Sequence, residues 1–243
     1  MNWLNKGKLR DLGRSVHLSA RLIAGRRFWI VPFVVLPWIA FQLGRLAIEG
    51  WRPQGAYRAV EAQGILIGFP LVVLAIGLGV RIIAGDIDRR TLEIAYTVPG
   101  GAHRAWLTKL VAAVLLLVAA EALLGVATFV FATEYPIGAL YGALQAALFY
   151  LVLAMAMSVL FKSEATGALA AVALLVFNGV ASGFGSAQWR ISPLWNPAAL
   201  PSADAADLLA WTVQNRIGFL LVIPVIAALA FGRAERRESM LSG

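Results

Sequence analysis

Apolar residues run through this chain in blocks of about twenty, separated by short polar or charged connections. Six blocks stand out: Phe28 to Ile48, Gly64 to Ala84, Leu107 to Phe131, Ile137 to Phe161, Gly167 to Ser186 and Ile217 to Gly232. A hydrocarbon core about 30 Å thick takes roughly 20 helical residues at about 1.5 Å rise each, so the blocks predict six transmembrane helices. Membrane strands would alternate apolar and polar residues over about ten positions; none of the blocks does so, which excludes a barrel. The last block is slightly short and is expected to extend into its flanks.

The connections carry their own patterns. Ahead of the first block, Leu9, Leu12, Val16 and Ile23 recur at helical spacing while Lys6, Arg10, Arg14 and Arg21 form a basic face. This predicts an amphipathic helix lying in the membrane interface, the other reading being a disordered basic tail. These first residues lack the compact apolar core and small-residue cleavage site of a signal peptide, so the first span is expected to be retained. Pro32, Pro37, Pro70 and Pro224 fall inside the blocks and are expected to kink helices whose freed carbonyls then need other partners. The chain therefore reads as one all-α integral membrane domain: residues 1–27 an interfacial helix, 28–232 a six-helix body and 233–243 a tail.

Composition agrees with that solvent. With 60% hydrophobic and 14% charged residues over 243 positions, the chain has far more apolar surface than a soluble domain needs to bury. Charge then sets orientation, because basic loops resist translocation. If the N-terminus is cytoplasmic, 16 of the 21 Lys and Arg residues fall inside and only Arg45, Arg52, Arg58, Arg190 and Arg216 fall outside. Both termini are thus expected in the cytoplasm of a bacterial inner membrane. The net charge of +8 reads as topology and contact with anionic lipid rather than nucleic-acid binding. Cysteine is absent and there are only two histidines, His17 and His103, so thiolate chemistry is excluded and a metal site is not expected.

The charged island between the second and third blocks has the most structured pattern. Asp86 and Asp88 come first, where a helix dipole favours negative charge, followed by Arg89. Leu92, Ala95 and Tyr96 then follow at helical spacing beside Ile94 and Val98, and Pro99 with Gly100 and Gly101 stops the helix. Arg104 and Lys109 can snorkel to lipid phosphates as the third span begins. From pattern alone this is either a short helix on the membrane face that a soluble partner could grip or an ordinary interfacial loop.

The long connection from Ala187 to Gln214 is broken by Pro193, Pro197 and Pro201, after which Ser202 is expected to cap a short helix from Ala203 to Trp211. Trp189, Trp195 and Trp211 suit the headgroup layer, and the segment reads equally as a lid or a substrate contact. Within the spans, Glu121 sits near the middle of the third, sharing a face with Val114, Leu117, Gly125 and Thr128. A charge there costs about 2.5 to 3.5 kcal/mol on insertion scales, so it must face protein or water. It reads as a cavity-lining acid or as a neutral acid joining two helices; Gln145 and Asn178 read in the same two ways, with interhelical hydrogen bonding favoured. Gly64 with Gly68 and Gly179 with Gly183 have the spacing of helix-packing motifs. No nucleophilic triad is suggested, and catalysis is not expected of this chain.

The island resembles the signature between the second and third spans of ABC-2 type transporter permeases, a pattern of the kind Gly-Glu-Arg-Glu-x-Gly-Thr-Leu-Glu, then Pro, then Arg and Lys-Leu. Gly85, Asp86, Asp88, Thr91, Leu92, Glu93, Pro99, Arg104 and Lys109-Leu110 occupy the matching places, with Asp86 and Asp88 where Glu is usual and Arg90 where Gly is usual. The order of a basic leading helix, six spans, a long fifth connection with Ile191-Ser192-Pro193-Leu194 and a basic end, Arg233-Ala234-Glu235-Arg236-Arg237, is similar to that family too. The resemblance implies that the island is a coupling helix seated in a cytoplasmic ATPase. Its contacts would come from Asp86, Asp88, Arg89, Thr91, Leu92, Glu93, Tyr96, Pro99 and Arg104. It also implies a working unit of two ATPase subunits and two permeases, the second identical or related. The phosphate-cradling string GxxxxGK[ST] is absent, so ATP and Mg are expected on the partner and no cofactor on this chain. Three functions follow as expectations: an ATP-driven exporter subunit, a membrane subunit that passes ATP-driven movement to an envelope or assembly machine, and an ATP-independent membrane enzyme or carrier.

Overall fold

The computed structural model describes residues 6–48, 57–91, 93, 96, 101–183, 189–200 and 204–236. Among these the chain is helical, with no strand, and six helices are long and apolar enough to cross a membrane. They are α2 (Phe28–Ile48), α3 (Ala59–Gly79), α5 (Gly101–Phe131), α6 (Ile137–Phe161), α7 (Glu164–Gly183) and α8 (Ala205–Ala234). A leading helix α1 (Lys6–Ala24) and a short helix α4 (Ala84–Asp88) complete the set. Their outward surfaces are apolar: Leu169 is 71% exposed on α7 and Leu229 69% exposed on α8. Exposure on that scale suits lipid rather than water, and the protein is a multi-pass membrane protein.

The first and fourth spans have the bounds that the apolar blocks predict and the last extends into its flanks as expected; the second, third and fifth start before their blocks. α3 starts earlier than Gly64 and stops at Gly79, because the chain turns at once. The Arg81 and Ile82 N–H groups reach back three residues to Leu78 and Gly79, at 3.2 Å each. Ile82, Ile83 and Ala84 are fully buried, so the end of that apolar block packs against protein instead of spanning. α8 corrects the reading of the fifth connection: the short helix expected from Ala203 continues without interruption into the last span. Its cap is Asp204, whose carboxylate accepts from the Ala206 N–H at 3.3 Å; Ser202, the cap expected from the sequence, lies outside the described residues.

Proline placement accounts for the most irregular helix. Residues Ala62–Gly68 wind as a π-helix, and the Phe69 N–H bonds the Gly64 carbonyl five residues back. In that register the Ile65 carbonyl would look to residue 70, but Pro70 has no N–H. Trp38 of α2 supplies the missing donor, its indole N–H reaching the Ile65 carbonyl at 2.8 Å. Pro32 lies in a 3-10 stretch, Phe28–Val35, that opens α2, and Pro224 sits inside α8.

α6 is the centre of the bundle and packs on α3, α7 and α8. Its small residues Ala139, Gly142, Ala143, Ala146, Ala147 and Ala154 are buried, which lets the neighbouring backbones come close. Close approaches between helices are made by glycines outside the two predicted motifs: a Cβ on Gly79 would strike the Leu151 carbonyl, one on Gly142 the side chain of Gln63 and one on Gly167 the backbone of Ser158, while Gly68 of the first motif is tight only against the Gln63 carbonyl of its own helix. Gly64 and Gly179 face open space. In α1, Ser19, Ala20 and Ile23 are buried, with the Ser19 hydroxyl donating to that of Thr108 on α5 at 3.0 Å. Val16 packs beside them, while Leu12, expected on the same face, is 55% exposed and the side chain of Leu9 lies outside the described residues.

Candidate functional sites at the two ends of the bundle

An even number of spans puts α1 and the end of α8 on one face, which also carries α4. This terminal face is built around Asp86. Lys109 of α5 is buried and donates to both Asp86 carboxylate oxygens at 2.7 Å and to the Ile82 carbonyl at 3.3 Å, while the Trp106 indole adds a longer bond at 3.4 Å. The apolar sequence that places Ile82 and Ile83 in the core thus carries Asp86 against the first turns of α5.

The rest of the island is tied to three further elements. Arg81 donates to the Ile23 carbonyl at the end of α1 at 3.2 Å and pairs with Glu164 at the start of α7 at 3.6 Å. Arg89 donates to the Leu22 carbonyl at 3.1 Å. Asp88 accepts from the Glu164 N–H at 3.0 Å, a carboxylate placed where the α7 dipole favours it. Close packing here depends on Gly85, whose missing side chain leaves the Glu164 carboxylate within 3.1 Å of where a Cβ would sit. Arg90 turns left-handed (φ 56°), and the Thr91 N–H folds back to the Asp86 carbonyl at 2.8 Å. Tyr96 donates its hydroxyl to the Ala234 carbonyl at the end of α8 at 2.6 Å, and His103 lies 3.4 Å from Glu235.

Of the nine residues that the resemblance assigns to coupling, Asp86, Asp88, Arg89, Thr91 and Tyr96 therefore bond within the chain. Glu93 is helical and, like Arg104, exposed; Leu92 and Pro99 lie outside the described residues. Lys109 and Trp106 were not anticipated as partners of Asp86. A basic residue inside the start of an apolar block, three positions after a tryptophan, was the available signal.

The opposite face is occupied by the fifth connection, which folds inward. Trp195 is fully buried, contrary to its expected place in the headgroup layer, because its indole donates to the Thr212 hydroxyl of α8 at 3.2 Å. Trp189 is exposed, and Trp211 lies beneath the Arg190 guanidinium at 3.5 Å. A buried loop leaves carbonyls that no helix satisfies, and amide side chains from the spans meet them here. Asn215 donates to the Arg190 and Ser192 carbonyls at 2.7 and 2.9 Å, and Gln63 donates to that of Trp195 at 2.8 Å. Gln145 donates to Asn215 at 2.9 Å and Asn178 to the Ser192 hydroxyl at 3.1 Å. Asn196 in turn donates to the Val60 carbonyl at 2.8 Å. Gln145 and Asn178 are thus joined to the loop and its anchor. Gln63 and Asn215 were missed, although both are amides at the margins of apolar blocks.

Glu121 stands apart from both clusters. It is buried on α5 against the Leu144 backbone of α6, and its Oε1 has no hydrogen-bond partner among the described residues. Thr128, on the same face, is completely buried with its hydroxyl likewise unpartnered. No cluster of metal-ligating residues occurs among the described residues. Comparison with known protein families, with curated proteins and with solved structures finds no match to this chain.

Proposed function

We propose that the chain is the transmembrane permease subunit of an ATP-driven ABC-2 type transporter, an exporter, coupled to a separate cytoplasmic ATPase. The observation that carries this reading is the bracing of residues 81–91 and Tyr96. Side chains around that segment tie it to α1, α5, α7 and α8, while Glu93 remains exposed. A force applied there has short, hydrogen-bonded routes into three spans. The resemblance of Gly85 to Leu110 to the ABC-2 signature supplies the identity of the motor, and the concentration of Lys and Arg supports placing the terminal face in the cytoplasm.

In this account two ATPase subunits bind ATP and Mg and close on one another, the segment around Glu93 follows as a coupling helix, and the spans of two permease copies change their packing. α1 lies in the interface as an amphipathic brace. The motion is a two-state change biased by a ligand bound on another polypeptide. A second reading, a subunit that passes the same movement to an envelope machine without moving solute, is favoured by the loop packed into the opposite end, where Trp195 is fully buried.

The test is purification in mild detergent with mass spectrometry of bound proteins. An ATPase should accompany the native chain and be lost, by at least about tenfold, from Glu93→Arg, with the amount of membrane-inserted chain unchanged; tenfold corresponds to about 1.4 kcal/mol of interface energy. Equal recovery of the ATPase with both chains would contradict the assignment. Nucleotide-dependent solute movement in vesicles separates the two readings.

A further inference from the structure

The opposite face holds a cavity of about 360 Å³ between α3, α6, α8 and the folded-in loop, lined among others by Gln63, Gly138, Tyr141, Asn196, Thr212 and Arg216. Its volume falls in the roughly 300 to 1,000 Å³ range of small-ligand sites. The donors left to a ligand come from Thr212, Tyr141 and Arg216, because the NH2 groups of Gln63 and Asn196 already donate to the Trp195 and Val60 carbonyls. Thr212 accepts from the Trp195 indole through its oxygen, which leaves its hydroxyl proton to donate. Arg216 is partly buried, its Nη1 is enclosed without a hydrogen-bond partner, and its guanidinium lies 5.3 Å from the Tyr141 ring centre.

No carboxylate lies among the residues that line the cavity, and none pairs with Arg216 among the described residues. A guanidinium taken partly out of water needs a countercharge, and an aromatic face replaces one only weakly. The planar fork of an arginine matches the oxygens of a phosphate, with hydroxyls beside it to complete the set.

We infer that this cavity binds a phosphate-bearing anion, with Arg216 as the charged contact and Thr212 and Tyr141 as hydroxyl donors. The group is either a lipid headgroup entering from the adjacent leaflet or a free phosphate. The site is independent of the coupling role proposed above, since it lies at the other end of the bundle and involves none of the same residues.

The test uses the full chain in dodecyl maltoside, a detergent with no phosphate, and follows thermal stability, because a ligand that binds only the folded state raises the unfolding midpoint. The probes are phosphatidylglycerol mixed into the detergent micelle and inorganic phosphate added to the buffer. Stabilisation by phosphatidylglycerol alone identifies a lipid site, and stabilisation by both identifies a free-anion site; either supports the inference. Arg216→Gln should weaken the effect at least about tenfold, as expected for loss of a charge-assisted contact, whereas Arg190→Gln, on the same face but over Trp211, should leave it within about twofold. Should Arg216→Gln fail to fold, Thr212→Val and Tyr141→Phe retain the charge and should each weaken binding about threefold or more. Absence of stabilisation by either probe overturns the inference. So does a response unchanged in Arg216→Gln, or unchanged in both hydroxyl variants.

Discussion

Lys109 and Asp86 form a largely buried ion pair, with side-chain exposures of 6% and 17%, and both Asp86 oxygens lie 2.7 Å from the ammonium. Burial gives such a pair an asymmetric response to mutation. Removing one partner leaves a charge stranded in a poor solvent, at a cost of about 3 to 5 kcal/mol, while replacing both by apolar groups can be close to neutral. Asp86→Ala should therefore lower the unfolding midpoint more than Asp86→Ala with Lys109→Met, a comparison that thermal melts of the detergent-solubilised chain can make. If the double variant is at least as unstable as the single, the pair is not acting as described. Glu121 poses the opposite case, a carboxyl with an unpartnered oxygen. Glu121→Gln keeps the shape and one carbonyl acceptor while removing the ionisable group, so yield should be preserved; a selective transport defect in that variant would mark a substrate contact. Loss of folded protein would mark a structural bond to α6.

At the scale of the element, the π-helical start of α3 depends on a donor from another helix. Trp38→Phe keeps the ring near Phe69 but removes the indole N–H from the Ile65 carbonyl, and should destabilise the protein by about 1 kcal/mol. Pro70→Ala, which restores the N–H, should reduce the effect of Trp38→Phe; equal effects in both backgrounds would contradict the carbonyl account. Gly79→Val should be far more damaging than Gly64→Val, since only the first meets the Leu151 carbonyl. That difference was hidden in the sequence, where Gly64 and Gly68 had the motif and Gly79 had none. The number of spans could be read from apolar block length because the bilayer fixes helix length directly. Where a helix stops could not: Ile82 and Ile83 are as apolar as lipid-facing residues but lie in the core. The inward fold of the fifth connection was equally hidden, since Trp195 matches a headgroup anchor until Thr212 and Gln63 come within bonding distance. Of the island, spacing placed the acids at the amino end of a helix running on through Leu92 and Tyr96, whereas the short helix observed ends at Asp88, most of the expected stretch lies outside the described residues, and Asp86 and Asp88 turn inward to Lys109 and to the start of α7.

For the whole molecule, the six spans set both ends of the described chain on one face, and the two clusters lie at opposite ends of the bundle. One end is a braced platform of charged side chains; the other is a loop held in place by amides. The central claim is that the braced platform faces the cytoplasm, where an ATP-consuming partner can reach it. Because the chain contains no cysteine, Glu93→Cys would carry its only thiol, on an exposed residue of that platform. A membrane-impermeant maleimide should label it only after the cells are permeabilised; labelling of the same thiol in intact cells would put the platform outside and contradict the account.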